Sequence, residues 1–280
     1  MNRTSLFPAL AFGGGALAFL LRFMQNRTGF DPSGLPVAGN LWAILLPVVL
    51  VLVLAAALIL TGRGRSSKVE ATCFEDSFSS FRTEFLALLT AGIFLLAISG
   101  ALQAATNLGL LPDTAVLTAS GLRGRSLSTG SAGLVEGVLT LLCAVCLFPT
   151  VRSCRCSGSR ETNCAVSAGV NSLYLLLPVV AMVVRLVLRY RQDSVNPTLA
   201  AYYIPLLALV LVTMALYLLA GFAFQSGSSR TFLPVSVMAI VLCAAALADA
   251  QPLYSSLFWL GSALSFSGYL CLHIGHLRTN

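Results

Sequence analysis

Charge is scarce in this chain. Asp, Glu, Lys and Arg make up 10% of its 280 residues, against about 25% in a typical soluble domain, so water would have too little polar surface to wet. Lysine is almost missing: sixteen of the seventeen basic residues are Arg, and Lys68 stands alone. No loop holds a dense basic patch interleaved with aromatics, which argues against nucleic acid as a partner in spite of the net charge of +7. The usual catalytic signatures are absent as well. There is no HExxH, GxSxG, GxxxxGK[ST] or Rossmann glycine fingerprint, and no soluble nucleotide-binding domain to drive transport by ATP. A non-enzymatic role without a cofactor is therefore the expectation, although a site assembled from scattered residues would escape such a search. The two histidines, His273 and His276, sit three apart beyond the last apolar run with no carboxylate beside them, too little for a metal site.

Apolar residues fill the space that charge leaves. They account for 57% of the chain, and the mean hydropathy is +0.88. Leu41 to Leu60 is a run of twenty residues without a charge, and at 1.5 Å rise per residue that length crosses a hydrocarbon core of about 30 Å. Comparable runs lie near 5–23, 41–60, 84–108, 131–150, 167–189, 200–224, 232–250 and 253–273. The expected fold is all-α, a polytopic membrane helical bundle of about eight transmembrane helices forming one integral domain over 1–280. Seven spans plus an interfacial helix is the alternative, because the first run carries Gly13-Gly14-Gly15 and the last carries Ser262, Ser265, Ser267 and Gly268. The first run is long for a signal-peptide core and is expected to be a retained span. Arginines at the run ends anchor helices to headgroups. With both termini on one side, that side collects ten Lys and Arg against seven, which favours cytoplasmic termini in a cell membrane.

Two connections are longer than the rest. In 71–81 the phenylalanines Phe74, Phe78 and Phe81, continued by Phe85, recur at steps of four, three and four, the pattern of a helix lying on the membrane surface. Residues 110–130 hold a mildly apolar piece too short to cross, expected at the interface.

Polar groups inside apolar runs are costly, and so they mark candidate sites. Glu136 leads, as a proton or cation ligand in the fourth run beside Gly133 and Gly137; a later helix start would instead make it a favourable N-terminal charge. Arg185, Arg189 and Asp193 follow at steps of four on one face, and Arg189 and Asp193 have the spacing of an ion pair. For Arg185 the readings are snorkelling or anion binding. Asp249 lies at a helix C-terminus, where a carboxylate is poorly placed unless it pairs with an Arg. Gln103, Asn107 and Asn171 are interhelical glue or the lining of a polar path. Cys143 and Cys146 have CxxC spacing within a span and are read as small packing residues. Cys154, Cys156 and Cys164 are the weak candidates for metal, since CxCx7C matches no closed zinc motif. Asn2 and Asn26 fit the glycosylation acceptor pattern.

Three functions fit these residues. The first is a small-solute secondary transporter or permease-like component, with a cavity lined by Glu136, Arg185, Asn107 and Asn171 and a proton as the coupling ion. The second is a non-catalytic partner or assembly subunit packing small-residue faces against another membrane protein. The third is a membrane-embedded enzyme using Arg185 to Arg191 on lipid headgroups. All three have the lipid bilayer as their surroundings.

Overall fold

The computed structural model describes residues 6–29, 39–62, 74–78, 83–110, 116–117, 131–156, 172–193, 199–249 and 251–279, without the side chains of 75–76, 116–117, 155–156, 199–202 and 276–279. Its helices are α1 (Leu6–Thr28), α2 (Leu41–Gly62), α3 (Phe74–Phe78), α4 (Thr83–Asn107), α5 (Ser131–Cys156), α6 (Ser172–Asp193), α7 (Leu199–Ala223), α8 (Ser229–Ala246) and α9 (Leu253–Thr279). All except the five-residue α3 are long and apolar enough to cross a membrane, eight helices in an all-α bundle. Pro47, Pro149, Pro178, Pro205 and Pro234 lie within helices that continue past them. Such continuity is what lipid imposes, because each carbonyl freed from a helix there has no water to turn to.

Neighbouring helices close a ring. α4 packs on α5, α5 on α6, α6 on α7, α7 on α8, α8 on α9, and α9 returns to α4. The α1–α2 hairpin stands outside, both of its helices resting on α8. Because successive spans alternate in direction, the ends of α1, α4, α6 and α8 meet the starts of α2, α5, α7 and α9 at one face of the molecule, here called the charged end. The opposite face is the aromatic end.

Glycine sets the closest approaches. A methyl added to Gly100 on α4 would lie 2.7 Å from the backbone nitrogen of Leu141 on α5, and one on Gly137 would lie 2.7 Å from that of Ala104. The two backbones touch there, where dispersion between helices replaces a hydrophobic drive that lipid does not supply. This contact is the pattern seen in the sequence around Glu136, but its partner is Gly100 on α4, and the small residues are used inside the ring.

The phenylalanine-rich connection departs from its expectation. α3 does not lie on the surface: Phe78 is wholly buried and Phe74 nearly so, against α9, α5 and α7. Phe78 meets Phe222, Phe232 and Tyr269 edge-on at ring separations of 5.2, 5.6 and 5.8 Å. Of the four phenylalanines Phe74 and Phe78 share α3, Phe85 belongs to α4 and Phe81 lies outside the described residues; an aromatic pocket at the bundle end outcompetes the headgroup layer for the first two. Of the second long connection, Val116 and Leu117 form a short strand, β1, antiparallel to β2 (Gln251–Pro252) at the α8–α9 turn.

Candidate functional site

The α4–α5 glycine contact fixes the site's register. Gln103 is one turn beyond Gly100 and Glu136 immediately precedes Gly137, so the same close approach brings the two side chains together. Gln103 Nε2 donates to Glu136 Oε2 at 3.1 Å. Since α5 begins at Ser131, Glu136 lies about 8 Å inside it by helix rise and is only 1% exposed. A later helix start, which would have made Glu136 an N-terminal charge, is thereby set aside. Its Oε1 and the Oε1 of Gln103 are both buried and accept no hydrogen bond.

Arg185 approaches from α6. It does not snorkel: its guanidinium turns inward, donates to Thr140 Oγ1 on α5 and has its central carbon over the Phe258 ring of α9, 3.8 Å from the centroid. With a side chain four residues above its helix-mate Arg189, it is 6% exposed. Thr140 in turn donates to the Glu136 carbonyl at 2.7 Å, as a hydroxyl on this turn must if its oxygen is to accept from Arg185. Arg185 and Glu136 feel each other's charge without closing an ion pair. The pairs that do close among the described residues are Arg189–Asp193 at 2.9 Å and Arg22–Asp249 at 2.6 Å.

The remaining residues singled out in the sequence fall elsewhere. Asn107 donates from Nδ2 to the Gln103 carbonyl at 2.7 Å, serving the end of its own helix. Asn171 and Cys164 lie outside the described residues, as does the side chain of Cys156. Cys154 is buried, and Cys143 and Cys146 are buried free thiols within α5. Among the described residues no cluster of three or more His, Cys, Asp or Glu could hold a metal.

Two further polar clusters were not foreseen as sites. At the charged end Arg22 Nε donates to Asp249 Oδ1 across 227 residues of chain, Asn26 Nδ2 donates to the same oxygen at 2.9 Å, and the guanidinium lies 5.4 Å from the Tyr203 ring. That use of Asn26, with a second bond to the Ala248 carbonyl, is incompatible with a glycan on it. Beside this cluster Gln251 Oε1 accepts from Ser255 at 2.5 Å and from Trp259 at 2.8 Å, tying down the α8–α9 turn. At the aromatic end His273 is enclosed by Phe78, Phe222 and Phe232. Its Nδ1 is 3.2 Å from the Ser77 carbonyl, which can only accept, so Nδ1 carries the hydrogen; Nε2, 3.0 Å away from Ser229 Oγ, then accepts from that hydroxyl in the neutral ring. Lone histidine and serine residues give no signal of this kind in a sequence, because each comes from a different helix.

Along α5 the residues Glu136, Thr140, Cys143, Leu147, Thr150 and Cys154 step by three or four and are all buried, one face turned into the ring. Midway, Cys143 and Leu147 border a cavity of about 10 Å³ closed by Leu96, Met182, Val212, Ser262 and Tyr269, barely the room of one water. Further on, the Thr150 hydroxyl donates to the Leu147 carbonyl, so the Tyr269 hydroxyl donates to Thr150 at 2.6 Å. A broken line of polar groups thus runs through the ring from Glu136 toward His273.

Compared with protein families, curated proteins and solved structures, the chain matches none. The fold and its apolar surface define the class, a polytopic helical bundle of membrane character. Within the bundle Glu136, Gln103, Thr140 and Arg185 form one buried polar array contributed by α4, α5 and α6.

Proposed function

We propose that the protein is a secondary transporter for a small solute, with Glu136 taking up and releasing the coupling proton. The observation that carries this reading is a single atom, Glu136 Oε1, a buried carboxylate oxygen without a hydrogen-bond partner. An ionised carboxylate so placed is costly. A proton removes the charge, and a solute or water supplies a donor, so the site has reason to bind both. The polar groups on the inward face of α5 support a path along the ring axis. Passage along that path requires α5 and α6 to shift against α4 and α9.

Full-chain protein in liposomes loaded with a pH-sensitive dye, challenged with pools of small solutes, tests this. At least one pool should acidify the lumen with the wild type and fail with Glu136→Gln. Acidification unchanged by the substitution, or none with any pool, overturns the assignment.

A second reading rests on the α1–α2 hairpin. α2 presents Ile44, Val48, Val51, Leu52 and Leu58 outward from the edge of the bundle, a face on which a partner subunit would sit. Copurification of one membrane protein in fixed ratio, lost when Val51 and Leu58 are replaced by bulkier Trp, would favour it.

A further inference from the structure

Resting on the transport reading, we infer that Arg185 is the seat of an anionic group on the solute, a small monocarboxylate that enters together with one proton on Glu136. A guanidinium offers five N–H donors in a planar fork. Arg185 makes one hydrogen bond, to Thr140, and its central carbon sits over the Phe258 ring. The edge of the fork therefore remains for a ligand, in a buried place where a charge-assisted, two-point bond to a carboxylate is strongest. Its neighbour Arg189 is not equivalent, being engaged by Asp193.

Charge decides the stoichiometry. The charged and titratable groups facing the site are Arg185 and Arg189 from α6, Glu136 and Cys143 from α5, and Tyr254 from α9, while α4 contributes the neutral Gln103. With Glu136 ionised, Arg185 is already balanced, and an added anion would leave the site with an uncompensated negative charge in a low dielectric. With Glu136 protonated at Oε1, Arg185 lacks a counter-charge, and a monoanion restores neutrality. Proton and anion therefore favour each other reciprocally. Cationic solutes are excluded by the same argument, because they would face Arg185 without relief.

The test is ligand-dependent thermal stability of the full chain in detergent, with acetate, propionate and benzoate as probes and phosphate, chloride and the matching neutral amides as controls. At acid pH a monocarboxylate should stabilise the wild type, and its affinity should fall about tenfold per pH unit once Glu136 ionises. Glu136→Gln should bind with the same affinity across pH. Arg185→Lys, which keeps the charge and loses the fork, should bind about tenfold or more weakly while melting near the wild type without ligand. Pool acidification driven by amides or amines, or stabilisation by phosphate and chloride as strong as by carboxylates, overturns the monocarboxylate inference and leaves proton coupling standing. Carboxylate binding that ignores pH in the wild type overturns the linkage to Glu136. Loss of proton coupling itself is read separately, from the liposome assay.

Discussion

The two ends of the bundle are closed by different physics. At the charged end Arg22, Asp249 and Asn26, with Gln251 beside them, form directional bonds between groups that lost their water. At the aromatic end Phe78 meets Phe222, Phe232 and Tyr269 through ring edges at 5.2 to 5.8 Å and stands tilted against His273 at 5.2 Å, contacts that are many, weak and forgiving in angle. The first arrangement fails all at once when a partner is removed. The second loses strength gradually. The former holds charged groups in register; the latter fills space.

The comparison is broken most sharply by Arg22→Ala, which strands Asp249 in a largely buried position and should cost about 3–5 kcal/mol of stability. The double replacement Arg22→Met with Asp249→Leu should recover most of it, because no charge is then left behind. Next comes Phe78→Leu, expected to cost about 1–2 kcal/mol for the lost ring volume. The smallest effect belongs to Tyr269→Phe, about 1 kcal/mol for one hydrogen bond to Thr150. Thermal unfolding of the four variants in one detergent reads the order. A Phe78→Leu penalty above that of Arg22→Ala, or a double variant no better than the single, would erase the distinction between the ends.

Features set within one helix were legible in the sequence. The apolar runs declare the eight long helices through length alone, and Arg189 with Asp193 meet because a step of four determines their geometry whatever else the chain does. Glu136 was conspicuous through the cost of its burial. What its surroundings would be was not, since Gln103 reaches it only because Gly100 and Gly137 meet, and nothing local says which glycine faces which. The Arg22–Asp249 pair was hidden for the same reason, its members lying in the first and the seventh spans. For α3 the step of four between Phe74 and Phe78 was visible, and its destination depended on a pocket assembled from α5, α7, α8 and α9.

The seating of the α1–α2 hairpin on α8 has a consequence for biogenesis. α1 and α2 leave the ribosome before α8, and their berth is made roughly 170 residues later, a delay of about ten to thirty seconds at ordinary elongation rates. During that interval Arg22 has no Asp249, so a nascent hairpin must wait with its guanidinium among lipid phosphates or in the keeping of the insertion machinery. Chains stalled before α8 should accordingly be the ones that quality-control proteases find.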